Sequence, residues 1–195
     1  PGDMVYKDLD NSGAIDYGNK TLDDHGDLSI IGNNTPRYNF GFGINGEWNG
    51  FDFSAFFQGT AKRDLWLSGR LAWGLGGGQW GSNVWENTLD CWREDGSNMN
   101  PYWPRFYLGN TSKNLQTQTK YLDSGAYCRL KNIQFGYSIP RHIISHIGLQ
   151  RARFYFSGDN LLTISGINSN FDPEAPADNV YPLSKSVSFG INLTF

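Results

Sequence analysis

The residues SVSFGINLTF (186–195) alternate without a break: Val187, Phe189, Ile191, Leu193 and Phe195 are apolar, while Ser186, Ser188, Gly190, Asn192 and Thr194 are not. Successive side chains of a strand point to opposite faces, so this period of two predicts a strand with one greasy face and one wet face. The pattern recurs upstream. In RYNFGFGINGEW, Tyr38, Phe40, Phe42, Ile44 and Trp48 share one face, and Asn39, Gly41, Gly43, Asn45 and Glu47 share the other. Asn49-Gly50 follows, two residues that tolerate positive φ and give the strongest short hairpin signal. FDFSAFFQG then returns with Phe51, Phe53, Ala55 and Phe57 opposite Asp52, Ser54 and Gln58. LKNIQFGYSI sets Ile133, Phe135, Tyr137 and Ile139 against Asn132, Gln134, Gly136 and Ser138, until Pro140 stops it. RHIISHIGL places Ile143, Ile144 and Ile147 at helical spacing with Gly148 as a C-terminal stop. ARFYFSGDNLLT opposes Phe154 and Phe156 to Arg153, Tyr155, Ser157 and Asp159.

These five predicted strands, of roughly ten residues each, exceed the ~5–6 residues usual in globular proteins and match the ~9–11 of a tilted membrane strand. Their links alternate in length. Outer-membrane barrels have short periplasmic turns and long external loops, so the chain is expected to divide accordingly. That division is an extracellular loop (1–35), a hairpin (36–59), a long extracellular loop (60–126), a strand pair with a short periplasmic helical connector (127–163), an extracellular loop (164–185) and a terminal strand (186–195). Trp48, Phe51, Tyr137 and Phe195 then fall at periplasmic strand ends, where an aromatic girdle sits. The expected fold class is all-β, an antiparallel segment of a transmembrane β-barrel. Five strands close no barrel, and an open sheet edge in lipid leaves amides unsatisfied. Further strands, most simply N-terminal ones, are expected to complete it. The competing soluble architecture is a β-sandwich, whose inward faces also alternate.

Composition narrows the classes. Glycine at 24 residues, 15% aromatics and 7 Trp beside 2 Met point to β-structure. No run approaches the ~18 apolar residues of a spanning helix, which excludes a helical membrane protein. A net charge of −3 gives no electrostatic footprint for nucleic acid. The opening PGDMVYKDLD has neither an initiating Met nor a charged-then-apolar leader, so this is expected to be a mature chain or the tail of a longer one. Cys91 and Cys128 are too few for a disulfide scaffold and lack CxxC spacing. Pairing in an oxidising compartment and free thiols both stay open.

PGDMVYKDLDNSGAID, IIGNNTPRYNFGFGINGEWNGFDFSAFFQG, YCRLKNIQFGYSIP, ARFYFSGDNLLT, FDPE and the closing SVSFGINLTF, in this order, resemble the C-terminal part of the SusC/RagA family of TonB-linked outer-membrane transporters. The resemblance covers the chain except for about 61–118. It implies the last five strands of a 22-stranded barrel with a plug domain upstream. It also implies TonB-driven import of oligosaccharides or peptides, a SusD-like surface lipoprotein as a lid, and no enzymatic activity. The aromatic and aliphatic residues of the terminal strand, Phe189, Ile191, Leu193 and Phe195, resemble the signal read by the barrel-assembly machinery.

Three sets of residues are candidates for chemistry. DLDNSGAID has D-x-D-x-S-G-x-x-D spacing, placing Asp8, Asp10, Ser12 and Asp16 as the first ligands of a calcium loop with Gly13 at its turn. Position 12 of such a loop is Asn19 rather than Glu, with Asp23, Asp24 and Asp27 as substitutes; the alternative is a turn held by Asx hydrogen bonds. Trp66, Trp73, Trp80, Trp85, Trp92 and Trp103 lie in the long segment, where they would stack on sugars, anchor a lid, or pack the segment's own core. His142 and His146 stand four apart without a third ligand. Asn39, Asn45, Glu47, Asp52, Gln58, Arg153 and Asp159 would face the lumen, and none is spaced as a nucleophile with its base. Two rival functions remain: a lid-less TonB-dependent receptor for a metal chelate or cobalamin, and a soluble calcium-dependent lectin.

Overall fold

The computed structural model describes residues 1–67, 69–73, 86–107, 113–168, 171–176 and 180–195. Trp80 and Trp85 lie outside the described residues. The chain divides into two compact units, one chiefly of Pro1–Gly32 and Trp66–Leu122, the other of Asn33–Leu65, Asp123–Pro176 and Val180–Phe195.

The second unit is built on a five-stranded sheet. In chain order the strands are β1 (Asn39–Trp48), β2 (Phe51–Thr60), the short β3 (Asp64–Trp66) and β4 (Leu122–Ser124), β5 (Tyr127–Ser138), β6 (Arg151–Ser165) and β7 (Ser186–Thr194). The sheet order is β1-β2-β5-β6-β7, antiparallel throughout, while β3 and β4 pair as a separate ribbon. The Asn49-Gly50 turn carries φ of 47° and 88°, the left-handed pair that lets two antiparallel strands meet across two residues. Between β5 and β6 the chain makes one turn of helix, α2 (Arg141–Ile144), then a 3-10 turn (Ser145–Ile147) that ends at Gly148 with φ 77°. The glycine supplies the left-handed residue that stops a helix.

Register turns the alternation of each strand into two continuous faces. Trp48, Phe51, Tyr137, Phe154 and Ile191 stand in one row; Phe53, Phe135, Phe156 and Phe189 in the next; Ile44, Ala55, Ile133, Gly158 and Val187 in a third; Phe42, Phe57, Leu130 and Leu162 in a fourth. Rings meet across the strands, Phe42 on Phe57 at 4.9 Å and Phe51 on Tyr137 at 4.5 Å. Five strands ~4.8 Å apart and four rows ~6.7 Å apart make a patch of about 400 Å², the size of the largest apolar patch on a typical soluble monomer (~300–600 Å²), which is often functional. Phe42, Ile44, Phe135, Phe154, Val187 and Phe189 of this face are exposed. Both outer edges of the sheet, on β1 and β7, end it without a further strand among the described residues.

The opposite face is polar, with two departures from simple alternation. Phe56 lies on the polar side, its ring over Gly41, where an added Cβ would crowd it at 3.2 Å, and beside Gly43, where a Cβ would make only ordinary contact. Lys131 is skipped in the pairing with β2 and with β6, and Asn160, with φ 54°, and Leu161 are skipped on the β6 side. These bulges shift the register without transferring the apolar set to the wrong face.

The long segment read as a loop contributes β3, β4, the helical turn α1 (Arg70–Trp73) and 3-10 turns at Glu86–Leu89 and Thr119–Tyr121. The first unit has its own aromatic core. Trp73 lies 5.7 Å from Trp66, 5.1 Å from Trp103 and 4.8 Å from Tyr121 between ring centroids, and Trp103 stacks on Tyr121 at 5.0 Å. The Trp73 indole N–H donates to the Leu67 carbonyl at 3.0 Å, and the Tyr121 hydroxyl to the Tyr102 carbonyl at 2.7 Å, so burial leaves neither polar handle unpaired. Burial also pushes the Tyr121 hydroxyl well above its ordinary pKa.

Candidate functional site

The polar face of the sheet is cross-linked between strands. Arg153 of β6 reaches across Gly136 of β5 to Asp52 of β2: its Nε donates at 2.8 Å, and its Nη2 donates to the second carboxylate oxygen and to Gln134 Oε1 at 3.3 Å. A side chain at position 136 would meet both partners, so glycine there lets the pair close over the strand between them. One step outward, Asp159 accepts from Asn132 at 2.8 Å and from Ser186 Oγ at 2.9 Å, linking β5, β6 and β7.

A buried ionic cluster lies towards the other end of this face, and sequence reading missed it. Arg129 of β5 is 3% exposed; its Nε donates to Thr163 Oγ1 at 3.0 Å and its Nη2 to Asp172 Oδ1 at 2.7 Å. Lys131 Nζ donates to Glu174 Oε2 at 2.7 Å. Asp172 also accepts the Glu174 N–H at 2.9 Å and the Leu183 N–H at 3.1 Å. Burial pushes the Asp172 carboxyl up, but those two amides and the Arg129 guanidinium outweigh it and hold the group below the usual carboxylate range. Two basic residues at alternate positions of a strand, with FDPE downstream, were the signal available in the sequence.

In the first unit Asp8 and Asp10 converge with Asp27, their carboxylate oxygens lying within 4.8 Å of one another, the one such acidic, His or Cys group among the described residues. Ser12 and Asp16 do not join them: Ser12 Oγ donates to the Ala14 carbonyl at 3.0 Å, and Asp16 Oδ1 accepts from Gly18 N–H at 2.8 Å. Asp24 instead holds Asn19. Backbone amides already fill much of the acidic cluster, Ser12 and Gly13 donating to Asp8 and Leu9 and Asp16 to Asp27. Of the described tryptophans, Trp73 and Trp103 are 4% exposed, while Trp66 and Trp92 are half-buried, Trp92 carrying the Arg105 guanidinium 5.5 Å above its ring. His142 and His146 sit exposed on the connector, and Cys91 and Cys128 are free thiols. A second site that sequence reading missed ties residues 3 and 4 to Tyr107, Lys113 and Asn114. Asp3 accepts from Lys113 Nζ at 2.5 Å, Tyr107 at 2.9 Å and Asn114 at 3.1 Å, and Asn114 Oδ1 accepts the Met4 N–H at 2.9 Å.

The sheet thus carries an apolar band on one face and a charge-paired, polar face on the other. Comparison with known proteins places similar chains among outer-membrane receptors. TonB-dependent receptor P3 of Formosa agariphila is 29% identical over the whole chain, which spans 19% of that receptor, and TonB-dependent receptor P26 of the same organism is 25% identical over 97% of the chain and 21% of its own length. The chain resembles part of a SusC/RagA-type TonB-dependent receptor. No family model matches it. Among solved structures, the RagAB peptide importer in its open-open state aligns with a TM-score of 0.65 at 26% identity, covering 90% of this chain and 19% of that one. The RagAB peptide transporter aligns with a TM-score of 0.60 at 27% identity over 80% and 17%. The chain therefore spans about a fifth of the length of the receptors it matches, and these relatives are by name receptors and transporters rather than enzymes.

Proposed function

We propose that this chain forms part of the wall of a TonB-dependent outer-membrane importer that takes up oligosaccharides or peptides in partnership with a SusD-like lipoprotein lid. The observation that carries the reading is the continuous bare apolar face, backed by the ion-paired polar face, in a sheet open at both edges. In a closed barrel the first face meets hydrocarbon, the edges find strands, and the second face lines the lumen. The peptide importer relatives support import as the activity, and the 22-stranded closure, the plug and coupling to TonB belong to the same proposal.

Within it, Trp66 and Trp92 would meet substrate or lid, with Trp73 and Trp103 packed as their support. Asp8, Asp10 and Asp27 would hold a calcium ion that fixes the external segment, the hard carboxylate set suiting that cation. The terminal residues Phe189, Ile191, Leu193 and Phe195 would carry the assembly signal. The reading is tested on the full-length receptor in its host: it should co-purify with a lipoprotein, and its deletion should abolish TonB-dependent growth on one class of oligomer. Growth lost instead on a metal chelate or cobalamin, with no lipoprotein recovered, overturns the reading in favour of a lid-less receptor.

A further inference from the structure

The two carboxylates that meet Arg129 are not equivalent. Asp172 is 6% exposed and accepts three hydrogen bonds, from Arg129, from Glu174 N–H and from Leu183 N–H, so it anchors the turn that follows Phe171 to the sheet. Glu174 is 19% exposed and held by one good bond, from Lys131. Its other oxygen, Oε1, lies 3.4 Å from Arg129 Nη1 without hydrogen-bond geometry, and both atoms are buried with no hydrogen-bond partner. A guanidinium donor that is desolvated and left half-used is expensive, because it has given up water and gained no aligned acceptor. Arg129 Nη1 and Lys131 Nζ together present the geometry that grips a carboxylate, and the one now there is tethered by a flexible side chain at the exposed side of the cluster.

We propose that Arg129 and Lys131 form a carboxylate-binding site on the polar face of the sheet, that Glu174 occupies it from within the chain, and that a carboxylate-bearing solute displaces Glu174. Asp172 stays in place during the exchange, so the turn remains docked while the Glu174 side chain swings out. For its solute the inference rests on the import reading: an acidic peptide and an acidic oligosaccharide offer the same group. Glu174 would act as a competing internal ligand that sets how strongly acidic cargo is held at the wall.

The test uses the full-length receptor in detergent, with heat-modifiable migration confirming a folded barrel, titrated by calorimetry with tetra-aspartate, tri-galacturonate and neutral tetra-asparagine. Glu174→Gln removes the resident charge and should bind at least one acidic probe about ten-fold more tightly than wild type, the scale of one charge-assisted contact. Binding of tetra-asparagine should not change, and Lys131→Met in the same background should cancel the gain. A gain with one acidic probe only names the source of the carboxylate. Equal affinities of wild type and Glu174→Gln for both acidic probes, or a gain that survives Lys131→Met, overturns the proposal. Loss of the folded receptor in both Glu174→Gln and Glu174→Ser also overturns it, since Glu174 would then be a fixed structural partner. Uptake by cells carrying the wild-type receptor is scored separately: tighter acidic binding by a receptor that imports nothing removes the import reading and leaves the site.

Discussion

Asp3 and Asp172 are both carboxylates beside a cation, but their surroundings set different consequences for losing them. Asp3 is held at a pKa of about 2, against its ordinary 3.8, chiefly by its hydrogen bonds to Lys113 and Asn114, which outweigh the upward push of desolvation, with Tyr107 adding a third bond. A carboxyl whose folded pKa is depressed stabilises the fold above the unfolded value and loses that contribution as pH falls through the folded one. Docking of residues 3 and 4 should therefore be complete at pH 5 and disappear between about pH 4 and 2. Asp3→Asn should reproduce the loss at pH 7, read as faster hydrogen exchange at the Met4 amide; unchanged Met4 protection in that variant would show the cluster to be ornamental. Asp172 is buried with its guanidinium, so removing its charge leaves Arg129 uncompensated, and such losses cost about 3 kcal/mol. Asp172→Asn should lower the stability of the full-length receptor by roughly that amount in a denaturant titration, with the slope unchanged.

At the scale of the element, the sequence was most legible where local chemistry and tertiary demand coincide. Period-two alternation marked all five strands of the sheet, and Asn49-Gly50 marked its tight turn, because a face that must stay apolar and a turn that must turn left-handed each restrict residue choice. It was least legible where one strand's choice depends on its neighbour. The skipped residues Lys131, Asn160 and Leu161 and the inward ring of Phe56 follow from cross-strand register, which no single strand records. The Arg129 cluster joins residues 43 positions apart, beyond any local signal. Glycines divide on the same grounds. A Cβ at Gly59 would lie 2.2 Å from the Tyr127 carbonyl oxygen and 2.5 Å from the Phe40 ring, while one at Gly43 would find its nearest neighbour at 3.7 Å. Gly59→Ala has to push a strand backbone aside and should cost about 2 kcal/mol, against under ~0.5 kcal/mol for Gly43→Ala. Thermal unfolding of the two variants checks the order, and equal midpoints would contradict the packing of β1, β2 and β5.

For the whole molecule, alternation established that the sheet has a greasy face but left open what the face meets, since a sandwich partner and a lipid tail are equally apolar neighbours. The proposal that lipid is that neighbour rests on the exposed rows together with the resemblance to receptors about five times as long, with a second sheet as the alternative cover. Adjacent residues of β7 separate the two. Val187 lies in the row of Ile44, Ala55, Ile133 and Gly158 on the apolar face, and Ser188 in the row of Asn45, Ser54, Gln134 and Ser157 on the polar face. If the apolar face meets hydrocarbon, Val187→Arg places a charge in lipid and should destabilise the full-length receptor by about 2–4 kcal/mol, whereas Ser188→Arg, facing a wet lumen, should cost under ~1 kcal/mol. The discriminating readout is the solvent. The penalty at Val187 should shrink in a thinner bilayer, where a long side chain reaches the interface more easily, and the response at Ser188 should not depend on thickness. A penalty at Val187 that is the same in every bilayer means that protein covers the face, and the barrel reading then fails.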